Sequence, residues 1–386
     1  MSLGHGCVDV YQGMVAALVP CFVAERAYSY AAASGVVLAA SLLSSLVQPL
    51  FGALADRWAM PWLLPLSVLT AGAGIALSGV TGSYALTLAV VAVSGVGVAA
   101  YHPEAARVAR AVAGGRHTGM SWFSFGGNAG FALAPLLVLA VMAAGGLRAS
   151  PLLAVPAVLG AVCCAVAVRG AGPGGGGAGP RAAAGRDDLA SFLRLSGAVV
   201  CRSVVFVGLG AFISLYVRQR TGGGEAAGTA ALCVLYAGGA AGTLAGGRLA
   251  ERYGRMTVVR RSYALTVPAV AGLVLVPGPP VYLFAALTSA ALYVPFSLHI
   301  TLAQDFLPRR TGTASGVTLG LAVSAGGLAA PAIGALADAT SLHTALLPLI
   351  ALPALGRLLL CGLREPEPPR GVTGRRADPR SPAARR

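Results

Sequence analysis

Lysine is absent from this 386-residue chain, and acidic side chains are scarce, with 13 Asp and Glu against 28 Arg. Charged residues make up only 11% of the sequence, less than half of the roughly 25% that a soluble domain carries. That shortage excludes a water-soluble globular surface, and disorder needs the opposite bias of low hydrophobicity and high charge. The five His are scattered. Neither a Gly-Lys-Ser phosphate loop nor a Gly-x-Gly-x-x-Gly strand–helix context occurs, which leaves little for nucleotide-driven or soluble enzyme chemistry. The seven Cys (Cys7, Cys21, Cys163, Cys164, Cys201, Cys233, Cys361) lie in apolar runs without metal-ligand spacing and read as small core hydrophobes. No metal and no other cofactor is expected.

Apolar length is what the chain has in quantity, at 56% hydrophobic residues and a mean hydropathy of +0.76. A bilayer core needs about 20 apolar residues in helix. Twelve such windows fall at 7–24, 34–55, 62–80, 84–103, 119–144, 150–168, 195–217, 228–249, 257–276, 281–303, 312–335 and 343–362. The expected class is an all-α polytopic membrane protein with twelve transmembrane helices in two sets of six. The first window starts almost at Met1 and carries His5 and Asp9, unlike a cleavable signal peptide. Residues 169–194, with Gly-Pro-Gly-Gly-Gly-Gly-Ala-Gly-Pro at 172–180, read as a flexible linker between bundles at 1–168 and 195–363. The Pro- and Arg-rich stretch 364–386 reads as a disordered basic tail.

Loops after even-numbered segments, with the tail, hold 22 Arg, and loops after odd-numbered segments hold 4. The positive-inside bias therefore places both termini and the linker in the cytoplasm. The basic pI is a topology signal and does not imply a nucleic-acid partner. The expected surroundings are the lipid bilayer, a small-molecule substrate and protons, with no obligate protein partner evident.

The halves echo each other. Gly52-Ala-Leu-Ala-Asp56-Arg57 after the second segment matches Gly247-Arg-Leu-Ala-Glu251-Arg252 after the eighth, and Arg116-His-Thr-Gly119 matches Arg309-Arg-Thr-Gly312. An acid at a helix end beside Arg makes a charge-assisted latch, with Gly permitting close helix approach. These residues resemble the Gly-x-x-x-Asp-Arg loop signature of the major facilitator superfamily. That resemblance implies a secondary transporter whose two halves rock around a central cavity. Further motifs are similar to the fosmidomycin resistance family of drug exporters: His5-x-x-x-Asp9-x-x-Gln12-Gly13, Tyr101-His102-Pro103-Glu104, Gly126-Gly127-Asn128-Ala-Gly130, Cys201-Arg202-Ser203 and Thr313-Ala-Ser315-Gly316. This second resemblance implies export of phosphonates or other small toxic compounds across a bacterial plasma membrane.

Ionisable groups inside membrane segments are expensive and become functional candidates by default. His5 and Asp9 are four residues apart on one helix face, with Gln12 three further on. Asp9 is the expected protonation site with His5 as partner; a static pair holding helices together is the competing reading. His102 and Glu104 close the fourth segment, where Glu104 either exchanges a proton or joins a gating charge network with Arg107. Pro103 predicts a kink there. Arg202 stands alone in the seventh segment, so its partner is an acid on another helix, such as Asp9 or Glu104, or an anionic substrate. Asn128 and His299 are weaker cavity candidates, and Gly126, Gly127 and Gly130 read as packing positions. No ATP-binding motif is present, so an ion gradient is the expected energy source and no enzymatic activity is expected. The leading function is a proton-coupled antiporter that exports such compounds, and the alternative is a proton-linked importer of a small organic anion.

Overall fold

The computed structural model describes residues 1–58, 60–112, 117–170 and 186–366. Helices fill these stretches: α1 (Ser2–Arg26), α2 (Tyr30–Arg57), α3 (Leu63–Ser78), α4 (Tyr84–Val112), α5 (His117–Gly145) and α6 (Val155–Gly170), then α7 (Leu189–Thr221), α8 (Glu225–Tyr253), α9 (Arg255–Leu275), α10 (Pro280–Tyr293), α11 (Phe296–Phe306), α12 (Thr311–Ala339), α13 (Leu342–Leu346) and α14 (Ala351–Leu360). Nine described stretches are long and apolar enough to cross a membrane, and Tyr30–Ser44 and Leu63–Ser78 are shorter apolar helices. One of the nine, Phe125–Arg169, runs through two of the expected windows, so the set accommodates twelve passes. The linker at 171–185 and the tail from 367 lie outside the described residues.

Three expected segments are not single α-helices. Residues 281–303 divide into α10 and α11 at Pro295, which has no N–H to give the preceding turn. The sixth pass opens with a 3₁₀ stretch, Gly146–Ala154, that contains Pro151. The last pass is α13, a short 3₁₀ piece at Leu347–Ile350 containing Pro348, and α14.

Large apolar side chains such as Leu66, Val93, Leu133, Leu159, Val162 and Leu283 are exposed on the outer helix faces. In a bilayer these are the lipid-facing positions, since only helices satisfy their own backbone groups there. Inside, small residues bring backbones together. A Cβ at Gly13 would sit 2.7 Å from Ala134 Cβ, which is how α1 lies against α5. Gly126 and Gly130 would likewise collide with the α1 backbone at Ser2 and Gly6, so the packing role expected for them holds. Buried tyrosines staple helices through backbone carbonyls: Tyr11 donates to Leu153 O at 2.9 Å and Tyr263 to Ala198 O at 2.7 Å.

The first six helices meet the later set along α2–α12, α5–α8 and α1–α7. At the face where α2 begins, Asp338 of α12 accepts Tyr30 N at 2.8 Å and Ala31 N at 2.9 Å. Ser29 Oγ accepts Ala32 N at 3.1 Å. The first-turn N–H groups of α2, the positive end of its dipole, are thus held by a carboxylate from the other half. Gln219 donates to Tyr30 Oη at 2.8 Å beside it.

The opposite face carries the Arg-rich loops and the paired signature sequences. A Cβ at Gly52 or Gly247 would meet nothing within 4 Å, so neither glycine marks a close helix contact in this state. Glu251 and Arg252 are exposed, with Arg252 lying over the Tyr253 ring. The side chains of Asp56 and Arg57 lie outside the described residues. Among the described residues, the hydrogen bonds of Asp338 and Gln219 join the two halves at the face where α2 begins.

Candidate functional site

Between the halves a cavity of about 100 Å³ is lined by Tyr11, Gln12, Val98, Phe131, Phe206, Tyr236 and Tyr293, among others. Two buried polar clusters flank it, one in each half.

The first is built by α1 and α4. His5 and Asp9, one helical turn apart, put Nε2 3.2 Å from Oδ2. His102 comes from α4 and puts its Nε2 3.0 Å from the other oxygen, Oδ1. His5 and Asp9 are only 8% and 6% exposed. Both rings are fixed from behind: His5 Nδ1 is 2.7 Å from Phe123 O, and His102 Nδ1 is 2.8 Å from Val98 O. The His5 ring stacks on Phe123 with centroids 4.1 Å apart. Gly127 of α5 completes the fit, since a Cβ there would run into Asp9 Oδ2 and the His5 ring. Gln12 lines the cavity one turn beyond Asp9.

Glu104 is wholly buried but lies outside this contact. Two residues along a helix turn its side chain about 200° from His102. The side chain of Arg107 is outside the described residues. Asn128 is half-buried on α5 and does not line the cavity.

The second cluster belongs to α7, α10 and α11. Arg202 is 2% exposed, and its guanidinium lies 5.2 Å from the Tyr293 ring centre and 5.1 Å from that of Phe296. Its Nε and Nη1 are buried without a hydrogen-bond partner. Among the described residues no carboxylate is within ion-pair distance of it, so the expected pairing with Asp9 or Glu104 is not made in this state. His299 is 1% exposed, with Nε2 equally unpartnered and its ring 5.8 Å from Tyr263. Tyr293 separates Arg202 from the cavity and is within the electrostatic reach of both Arg202 and Asp9.

The sequence singles out none of three further contributors. Asp338, the next-to-last residue of α12, carries no local sign of a cap on α2. Tyr293 and Phe296 went unremarked, although an aromatic pair bracketing a helix-breaking Pro is visible in the sequence.

A membrane-embedded helical bundle with a polar cavity between two related halves is the architecture of a secondary transporter. The sequence model of the Major Facilitator Superfamily matches residues 1–331, and the chain belongs to that family. It is 29% identical over 376 residues to the fosmidomycin resistance protein of Escherichia coli (strain K12), covering 93% of this chain and 91% of that one. It is 26% identical over 372 residues to the MFS-type transporter YfnC of Bacillus subtilis (strain 168), covering 93% and 90%. In fold it is similar to a bacterial homologue of the human lysosomal transporter Spinster in an inward-facing, occupied conformation, with a TM-score of 0.78, 16% identity and coverage of 93% and 94%.

Proposed function

We propose that the protein is a proton-coupled antiporter of a bacterial plasma membrane that exports small anionic toxic compounds, fosmidomycin-like phosphonates among them. The observation that carries this reading is the pairing of the two clusters across one cavity. On one side a carboxylate is held between two imidazoles, and on the other, behind Tyr293, lies a guanidinium whose buried Nε and Nη1 are open. The first is a group that can take up and give back protons. The second has the charge and planar fork that match phosphonate or carboxylate oxygens. The similarity to a protein named for fosmidomycin resistance supports the direction and the substrate class.

In this reading the Arg-rich face is cytoplasmic, as the positive-inside bias gives, and both termini lie there. Helical bundles at 1–168 and 195–363 rock about the cavity on the 169–194 linker, and the chain ends in a basic tail at 364–386. An anion entering from the cytoplasm meets Arg202 once Tyr293 yields. Closure of the Arg-rich face brings the two signature loops together, and release of the Asp338 cap opens the far side. Protons then load Asp9 from outside and leave inside as the cycle resets.

The test is the growth-inhibiting concentration of fosmidomycin for an exporter-depleted host that makes the wild type or Asp9→Asn at matched membrane levels. Protection by the wild type that Asp9→Asn lacks is the expected result. Good membrane insertion without protection overturns phosphonate export and moves a proton-linked importer of a small organic anion to the front; such an importer accumulates solute in everted-vesicle controls of the opposite sign.

A further inference from the structure

The hydrogen atoms of the His5–Asp9–His102 cluster can be counted from its heavy-atom contacts. A backbone carbonyl only accepts hydrogen bonds. The contacts of His5 Nδ1 to Phe123 O and His102 Nδ1 to Val98 O therefore require a hydrogen on each Nδ1. A neutral imidazole has one N–H, so with both rings neutral each Nε2 is a bare lone pair. Both bare Nε2 atoms would then stand against the Asp9 carboxylate, at 3.2 and 3.0 Å. Asp9 Oδ1 is buried and has no hydrogen-bond partner. Two contacts of acceptor against acceptor, out of bulk water, repel; each needs a proton between its atoms.

One proton repairs one contact and leaves the other. Two protons repair both, either as two imidazolium rings about a carboxylate or as one imidazolium and one neutral ring about a carboxylic acid. We propose that the cluster takes up and releases two protons as a unit, and that the conformation described here is its doubly protonated form. The inference rests on reading this cluster as the transporter's proton site. It adds the number of protons, and a mechanical consequence: losing them turns the α1–α4 contact from attractive to repulsive. His102 lies directly before Pro103, whose missing N–H leaves the carbonyl of Ala99 without its helical partner. Helix α4 is therefore weakest against bending at the residue that must withdraw.

Among the described side chains the surroundings contain few competing groups. From α4, Tyr101 stacks 6.2 Å from His5 and reaches Cys164 of α6 at 3.8 Å, and Glu104 is buried two residues beyond His102. Helix α1 adds Cys7 and the amino terminus beside Cys164. From α5 come only the Phe123 ring and carbonyl among the described side chains, and across the cavity stand Tyr293 and Arg202. Arg202 is a buried positive charge in the other half, and like charge opposes double protonation of the cluster.

With only five His in the chain, the full-length protein labelled with ¹⁵N-histidine can be followed ring by ring, each resonance assigned by its own His→Gln variant. The purified protein is titrated in metal-free buffer. The expected result is that His5 and His102 change protonation in one shared, cooperative step with an uptake of two protons, and that both rings are Nδ1–H tautomers above it. His102→Gln, whose amide can donate to Asp9 without a proton from solution, should reduce the uptake to one and remove the cooperativity; this variant keeps the test open if Asp9→Asn does not fold. Uptake of a single proton, two independent steps, or an Nε2–H tautomer on either ring overturns the proposal, as does a divalent metal that stays bound one to one through chelator. The titration needs no substrate, so a chain that shows the two-proton step but confers no protection leaves the cluster's stoichiometry standing and removes the exporter reading.

Discussion

Asp9 in the first half and Arg202 in the second stand 193 residues apart, the offset that also relates Arg116 to Arg309; Tyr101 and Tyr293 are 192 apart, as are Pro103 and Pro295. The two halves thus place an ionisable residue, a tyrosine and a proline at corresponding positions, and fill them with opposite charge. What differs is completion. Around Asp9 both ring nitrogens of each His have a neighbour, so the cluster meets its own desolvation cost once it is protonated. Around Arg202, among the described residues, stand two aromatic faces, each worth about 0.5–2 kcal/mol to a cation, while Nε and Nη1 stay open. A self-contained cluster can cycle with solvent protons alone, whereas an incomplete one is finished only by something that arrives.

Substitutions separate these roles. The largest effect is expected at the complete cluster. Asp9→Asn should reduce fosmidomycin protection to that of cells without the protein, and Gly127→Ala should come close, because its methyl group occupies the space of Asp9 Oδ2; growth inhibition at matched expression checks both. At the incomplete cluster activity and stability should part company. Arg202→Met removes one charge-assisted contact to the anion, about 1.5–3 kcal/mol or at least tenfold in transport affinity, yet thermal unfolding in detergent should occur at an equal or higher temperature, since a buried unpaired charge is gone. If Arg202→Met unfolds much earlier, the guanidinium is a structural member of the bundle and the contrast between the halves collapses.

The next effect concerns the Asp338 face. Asp338→Ala deletes two hydrogen bonds to an ionised acceptor, about 1.5–3 kcal/mol each. The balance should move at least tenfold toward opening, read as faster thiol labelling of Ser34→Cys in a cysteine-free background. Smallest is Asp188, which caps α7 through Ser191 Oγ at 2.6 Å and Ser191 N at 3.0 Å. Those bonds hold its carboxyl below the usual carboxylate range, the side-chain bond contributing most. Its stabilisation is therefore complete above the unfolded-state value and fades as pH falls through the lower folded one. Asp188→Ala should cost about 1 kcal/mol at neutral pH and less in acid, measured by thermal unfolding across that range.

The fold was nearly all legible beforehand, because hydropathy and the offset between matching loops are local or periodic signals. The sites of helix breaks were less so: Pro103 sits inside an unbroken α4, whereas Pro295 divides α10 from α11. The candidate site was half legible. His5 and Asp9 share a helix face and could be paired by spacing, but the approach of His102 to the same carboxylate depends on how α4 packs on α1, which no spacing encodes. The same holds for Asp338, whose partner N–H groups lie more than 300 positions away. The glycines of the paired loops show the converse: the sequence suggests close approach, yet among the described residues a Cβ at Gly52 or Gly247 would meet nothing within 4 Å.

The chain has three tryptophans, Trp58, Trp62 and Trp122, each about 60% exposed and each at a helix end on the Arg-rich face. Indole fluorescence from this protein is consequently a one-sided signal. A membrane-impermeant collisional quencher dims it from the compartment that bathes those helix ends and leaves it untouched from the other, so intact cells and inverted vesicles give opposite answers. The native protein carries its own optical marker of orientation, and the same three indoles should report closure of that face in real time without any introduced label.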